Sequence, residues 1–152
     1  MLEFKTPQIE DKAWADQCFK HLKTMNCDYT FGNMFVWSTE YSTKICRFKD
    51  FFICSWGMGK ETNFGIPVGK GDFKEAVEEV IKYAKANDIM PRFYGVTEAY
   101  VEMLNENFPD AFQFLYDESY GDYIYEVEKM ASLKGKKYHG KRNHITNFKK
   151  NN

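Results

Sequence analysis

The stretch TNFGIPVGKGDFKEAVEEVIKYAKA, residues 62–86, decides the fold. Residues 62–68 read as a strand, with Pro67 near its end, where a missing N–H does least harm. Gly69-Lys70-Gly71 then permits a turn, and Asp72 caps a helix, with Glu75 three residues on completing a capping box. Phe73, Val77, Val80, Ile81 and Ala84 give that helix its buried face. Glu78 and Lys82 are spaced to pair on the wet face. A strand entering Gly-x-Gly and then a helix N-terminus converges free N–H groups and the helix dipole, which suits an anion. Coenzyme A pyrophosphate or an RNA phosphate fits such a site. The same residues also serve as an ordinary strand-to-helix turn, because glycine supplies the needed backbone freedom. Asp72 repels an anion unless its carboxylate turns inward to cap.

Upstream lie two more strand-like runs. Lys44–Lys49 alternates, with Ile45 and Arg47 facing one way and Cys46 and Phe48 the other. Lys49-Asp50 is a tight turn without the glycine of the favoured hairpin types. Phe51–Trp56 is apolar nearly throughout, as a strand covered on both faces should be. With Gly57-Met58-Gly59 as the next turn, the three strands form an antiparallel meander. Before them, Thr6-Pro7 is expected to open a helix, with Trp14, Cys18, Leu22 and Met25 as its apolar stripe. A shorter helix is expected around Asn33–Tyr41. Its aromatics Phe31, Phe35 and Trp37 read as core or as the lining of a ligand pocket. Downstream, Asn87-Asp88 and Pro91 end the long helix, and Arg92–Val96 is a short strand. Thr97 caps a helix with Tyr100, Met103, Leu104 and Phe108 inward, and Pro109 stops it. Ala111–Tyr116 alternates like a strand and leads into an acidic loop, Asp117–Gly121. The simplest layering is a mixed twisted sheet flanked by helices. That element order is similar to a single GNAT-like (acyl-coenzyme A N-acyltransferase-like) α/β domain.

With 152 residues, 43% hydrophobic and 18% aromatic, the chain is long and apolar enough for one folded domain, and disorder is excluded for most of it. No apolar run approaches a membrane span, and the N-terminus lacks the pattern of a signal peptide. Cys18, Cys27, Cys46 and Cys54 read as reduced, packed thiols, which points to a cytoplasmic protein. Three scattered His give no metal-ligand spacing, and no Ser-His-Asp or Cys-His arrangement is legible. Charge, however, is sorted. From Lys129 onward the chain holds eight Lys or Arg and no Asp or Glu, so a body of formal charge −9 runs into a tail of +8. We therefore divide it into a body, 1–128, and a basic C-terminal helix, 129–152. Tyr138, Ile145 and Phe148 share one face of that helix, while Gly135 and Gly140 each weaken it by roughly 1 kcal/mol. It is either a solvated tail or a helix that docks on a polyanion, on the acidic body, or on a second domain.

Several motifs carry a family resemblance. Asp122-Tyr123-Ile124-Tyr125, Leu133-x-Gly135-Lys136-Lys137-Tyr138-His139, Lys141-Arg142-Asn143-His144-Ile145 and Phe148 resemble the signature of the phosphatidylglycerol lysyltransferase C-terminal domain family. Tyr29-Thr30-Phe31 through Trp37 and Pro67-x-Gly69-x-Gly71-Asp72 agree with it. The likeness runs from about residue 5 to 150. It implies a relative of tandem GNAT-like, Fem-type aminoacyltransferases, of which this chain resembles the first half. Members of the characterised branch move an aminoacyl group from aminoacyl-tRNA to a lipid headgroup. Aminoacyl-tRNA or acyl-coenzyme A is thus the implied donor, and tRNA, a second GNAT-like half or a homodimer mate the implied partner. Candidate substrate-binding residues are Gly69, Gly71, Tyr123, Tyr125, Tyr138, His139, Lys141, Arg142 and Asn143; no catalytic residue is carried over. Ile66 stands where an acetyl-coenzyme A loop has Arg or Gln. A non-catalytic RNA-binding or interaction domain, or a truncated half needing a partner, is the alternative reading.

Overall fold

The computed structural model describes residues 2–118, 121 and 123–151. The chain divides into two units, Met1–Tyr120 and Gly121–Asn152. Asp122, the first residue of the tyrosine motif, and Asn152 lie outside the described residues, as do two positions of the acidic loop.

The first unit is an α/β layer built on a five-stranded mixed sheet. It begins with the hairpin of β1 (Lys44–Phe48), at one end of the strand order, and β2 (Phe51–Trp56), paired antiparallel from Lys44↔Ser55 to Phe48↔Phe51. The two-residue turn forms without glycine because Lys49 itself takes a left-handed φ of 52°. The expected third strand is present in two pieces, β3 (Asn63–Gly65) and β4 (Val68–Gly69), both antiparallel to β2. Between the pairs Ser55↔Phe64 and Phe52↔Val68, the β3–β4 side carries one residue more than β2. That is a β-bulge at Ile66-Pro67, where proline's missing N–H removes no ladder bond. β5 (Phe93–Tyr94) adds parallel to β3 and makes the sheet mixed.

Neighbouring residues on a strand face opposite ways. Ile45 and Phe52 join one apolar cluster with Ala15, Phe31 and Tyr100, while Cys46 and Ile53 join another with Phe64, Val80 and Ala84. The sheet is therefore covered on both faces, by α1 (Lys12–Phe19), α2 (Phe31–Val36), α3 (Phe73–Ala86) and α4 (Glu98–Asn107). This layering agrees with the expected GNAT-like α/β domain.

Several local expectations need correction. The first helix does not start at Pro7. The Asp11 carboxylate instead accepts from the Gln8 N–H at 2.9 Å, closing a 3-10 turn over Ile9–Asp11 before α1 begins. α1 ends at Phe19, so Met25 leaves the stripe and is 86% exposed. α2 starts at Phe31, capped by the Thr30 hydroxyl, and ends at Val36. Of its aromatics Phe31 is buried, while Phe35 and Trp37 are exposed. Asp72 caps α3 as expected, accepting from the Glu75 N–H at 3.0 Å, but the Glu75 carboxylate pairs with Lys49 across the hairpin turn. Lys82 pairs with Glu79, one position nearer than the expected Glu78. Ala111–Tyr116 joins no sheet: Phe112 packs on Phe93 and Phe108, and Leu115 and Tyr116 are exposed.

The second unit contains α5 (Val127–Ser132), a 3-10 turn over Lys136–Tyr138, and α6 (His139–Asn151). The expected basic C-terminal helix is present over His139–Asn151 only, because the helical run breaks after Ser132 and Tyr138 falls in the turn before α6. Tyr138 is buried, whereas Ile145 and Phe148 are exposed.

Candidate functional site

In the first unit, the Gly69–Gly71 loop is shaped by packing. A Cβ on Gly69 would stand 2.0 Å from the Asp50 carbonyl oxygen and 2.7 Å from the Phe51 Cα. Gly71 has φ +133°, a conformation glycine tolerates. The loop borders a small cleft of about 70 Å³, lined by His21, Lys23, Phe51, Pro67, Phe73, Tyr100 and Met103 with the two glycines. The Tyr100 hydroxyl accepts from the Lys23 N–H at 3.2 Å, and the Thr97 hydroxyl donates to the Lys23 carbonyl at 3.4 Å. These bonds tie the loop after α1 to the start of α4. Burial pushes the Tyr100 phenol above its usual range, so it is a neutral, protonated lining group. His21, Lys23 and Tyr100 were not legible in the sequence as site residues. No local pattern links them to a loop some 30 to 50 residues away.

Ile66, at the position of the acetyl-coenzyme A loop's Arg or Gln, is fully buried. Its carbonyl accepts from the Tyr29 hydroxyl at 3.4 Å. A larger, open groove of about 400 Å³ is lined by Lys12, Asp16, Phe19, Lys20 and residues 29–32. Lys12 there is already paired with Asp16.

The second unit gathers most of the tail candidates. Leu133 takes a left-handed φ of 48° after α5, and Gly135 follows at 98°. The Arg142 guanidinium donates to the Leu133 carbonyl and, at 2.8 Å, to the Gly135 carbonyl. It thereby satisfies the Leu133 carbonyl where α5 ends and adds a second donor to the Gly135 carbonyl, which already accepts from the Tyr138 N–H at 3.3 Å. Asn143 lies one helical turn beyond His139, with its Nδ2 3.2 Å from the imidazole Nε2. Lys141 Nζ lies 5.4 Å from the centre of the Tyr125 ring, and Lys137 Nζ 5.7 Å from that of Tyr138, both within cation–π range. Tyr123 is 88% exposed. Lys134, Lys136, Lys137, Lys141, Lys149 and Lys150 make no ion pair among the described residues. Such cations, with two tyrosine rings beside them, suit phosphate contacts and base stacking. The described residues hold no group of three or more His, Cys, Asp or Glu placed to bind a metal ion, and no helix long and apolar enough to cross a membrane.

Residues 19–152 match the family model for the phosphatidylglycerol lysyltransferase C-terminal region. The chain belongs to that family. A crystal structure of a conserved protein of unknown function from Bacteroides thetaiotaomicron VPI-5482 is similar over 99% of this chain, with 32% identity and a TM-score of 0.80. The match covers 51% of that protein, so the present chain spans about half the length of its solved relative. No curated protein matches it. This phosphatidylglycerol lysyltransferase-related chain thus carries a described α/β unit followed by a basic helical one.

Proposed function

We propose that this chain is the phosphate-recognising part of an aminoacyl- or acyl-transfer protein, with tRNA as the carrier it contacts. The observation that carries the reading is the cationic second unit: six lysines without ion pairs among the described residues, in a chain of this family. Lys141 and Arg142 contact phosphate, Tyr123, Tyr125 and Tyr138 supply rings for stacking, and His139 and Asn143, held together at 3.2 Å, add polar groups beside them. Arg142 does so with the guanidinium edge that α5 leaves over. Within the first unit, the small cleft beside Gly69 and Gly71 is the candidate acyl cleft. The span relative to the solved homologue supports work alongside a second GNAT-like half, which supplies the remaining chemistry. The alternative is a non-catalytic RNA-binding or interaction domain, which shares the cations and lacks the acyl cleft's use.

The test is titration of tRNA into the intact chain and into a variant with Lys134, Lys136, Lys137 and Lys141 changed to Gln, at several salt concentrations. Every lysine that pairs with a phosphate should, once neutralised, flatten the slope of log K against log salt by about 0.7–0.9. Equal affinity and equal slope for both proteins defeat the reading. A thermal shift with acetyl-coenzyme A, absent with tRNA, would transfer it to an acyl-coenzyme A donor.

A further inference from the structure

Tyr100 is only 2% exposed, yet its hydroxyl is half used. The oxygen accepts from the Lys23 N–H at 3.2 Å, and the phenolic proton meets no acceptor among the described residues. A hydroxyl both donates and accepts, and a buried donor left without an acceptor is costly. Tyr100 and Lys23 both border the cleft of about 70 Å³ in the first unit, so the free proton lies at its wall. Phe51, Pro67, Phe73 and Met103 make that wall otherwise apolar, and the exposed His21, Lys23 and Gly71 mark the mouth. An occupant with one acceptor oxygen and a small apolar part would complete both.

Size and charge narrow the occupant. An apolar cavity of about 150 Å³ takes one benzene, so this cleft of about 70 Å³ takes roughly half of one, an acetyl or propionyl group by size. Among the described residues no Asp or Glu borders it. A buried ammonium there would have no counter-ion and a lysine beside it. The α-amine of an aminoacyl ester can turn to solvent at the mouth. The ε-ammonium at the far end of a lysyl chain cannot, and that chain is too long. We infer that the cleft is a pocket for a short acyl group of roughly two or three carbons, without a charged side chain, whose carbonyl oxygen accepts a hydrogen bond from the Tyr100 hydroxyl. Met103 sets the length limit: it lies three residues beyond Tyr100 on α4, on the same face. The inference rests on the acyl-cleft reading above and narrows it, setting a lysyl group aside for this cleft.

The experiment is a titration of the full chain, followed by its backbone amide resonances, with three probes that share one head: N-methylacetamide, N-methylhexanamide, and the same hexanamide carrying a terminal amine. N-methylacetamide should move the Lys23, Gly69 and Gly71 amides saturably at millimolar concentration, and the two longer probes should not. Tyr100→Phe should weaken that binding about fivefold, the worth of one neutral hydrogen bond, in a chain whose amide spectrum shows it folded. Met103→Ala leaves every polar group in place and should admit N-methylhexanamide, while the amine-bearing probe stays out. Acetyl-coenzyme A or tRNA bearing amide-linked alanine, whichever moves the same three amides, names the carrier. The small probes hold no phosphate, so their binding without a response to either carrier defeats the transfer reading and upholds the pocket. No saturable shift with N-methylacetamide, undiminished binding by the Tyr100→Phe chain, equal uptake of the hexanamide by the wild type, or entry of the amine-bearing probe into Met103→Ala each overturns the inference.

Discussion

Gly69 and Asp50 touch through their backbones: the Lys70 N–H donates to the Asp50 carbonyl at 3.3 Å, and Gly69 leaves no room for a Cβ beneath that oxygen. The turn between β1 and β2 is thereby pressed against the strand that feeds α3. Gly69→Ala must displace backbone and should destabilise the fold by about 1–3 kcal/mol. A lower urea midpoint with an unchanged slope would show it. Gly140→Ala is the counterpart. It lies inside α6 with open space around it, so alanine should stabilise that helix by roughly 0.5–1 kcal/mol. Stronger ellipticity at 222 nm is the expected readout, and equal effects of the two substitutions would contradict the packing account.

Asp11 is the buried acid of the first unit. Burial pushes its carboxyl up, but hydrogen bonds from Lys5 at 2.6 Å, Trp14 at 2.9 Å and the Gln8 N–H outweigh it, and the net shift is downward. A carboxyl lowered in the folded state stabilises above its unfolded pKa of about 3.9, and that contribution is lost as pH falls through the lower folded value. Lys5 is more than half exposed, so its share is screened. Asp11→Asn should cost about 1–2 kcal/mol at neutral pH and nothing at pH values below both. Stability curves of the two proteins that run parallel down to acid would rule this out.

The four thiols should separate by reactivity. Burial, above all, raises Cys54 to about 12, and burial also raises Cys18 and Cys46. Thiolate is the reactive form. Cys27 is exposed. Maleimide labelling of the native protein at mildly alkaline pH should modify Cys27 quickly and the others only on unfolding. Rapid labelling of Cys54 under native conditions would show that its surroundings open.

Arg142 should hold the second unit together. Arg142→Ala leaves the Leu133 and Gly135 carbonyls without their charged donor, a loss of about 1–2 kcal/mol for a partly exposed site. Amide exchange across Val127–Tyr138 should speed up, while α3 keeps its protection. Arg142→Lys should recover only part, because one ammonium replaces a planar fork. Unchanged exchange in α5 would refute a structural role for the guanidinium.

The parts of the fold most legible in sequence were those specified locally. Phe51–Trp56 is apolar on both faces because both are covered, and Asp72 is a cap by its own chemistry. Ala111–Tyr116 alternates as a strand does, yet alternation describes a ribbon's two faces and says nothing of an available edge to pair with. The stripe ending at Met25 failed for a related reason: spacing continues past Phe19, but the backbone turns. Of the candidate site, the residues of α6 and the turn before it were readable because their charges and rings are contiguous. His21, Lys23 and Tyr100 were not, since only folding brings them beside Gly69.

The extra residue at Ile66-Pro67 sets a constraint on how this chain can change length. Upstream of it, Phe64 answers to Ser55; downstream, Val68 answers to Phe52. Removing one of the two would straighten the ribbon into a regular ladder, with Val68 still opposite Phe52 and Gly69 still opposite Phe51. Adding a residue there would do the opposite: Val68 would lose its inward side, and Gly69 would no longer arrive beneath Asp50. Length at this kink is therefore bounded from above: one residue fewer keeps the pairing, and one more breaks it.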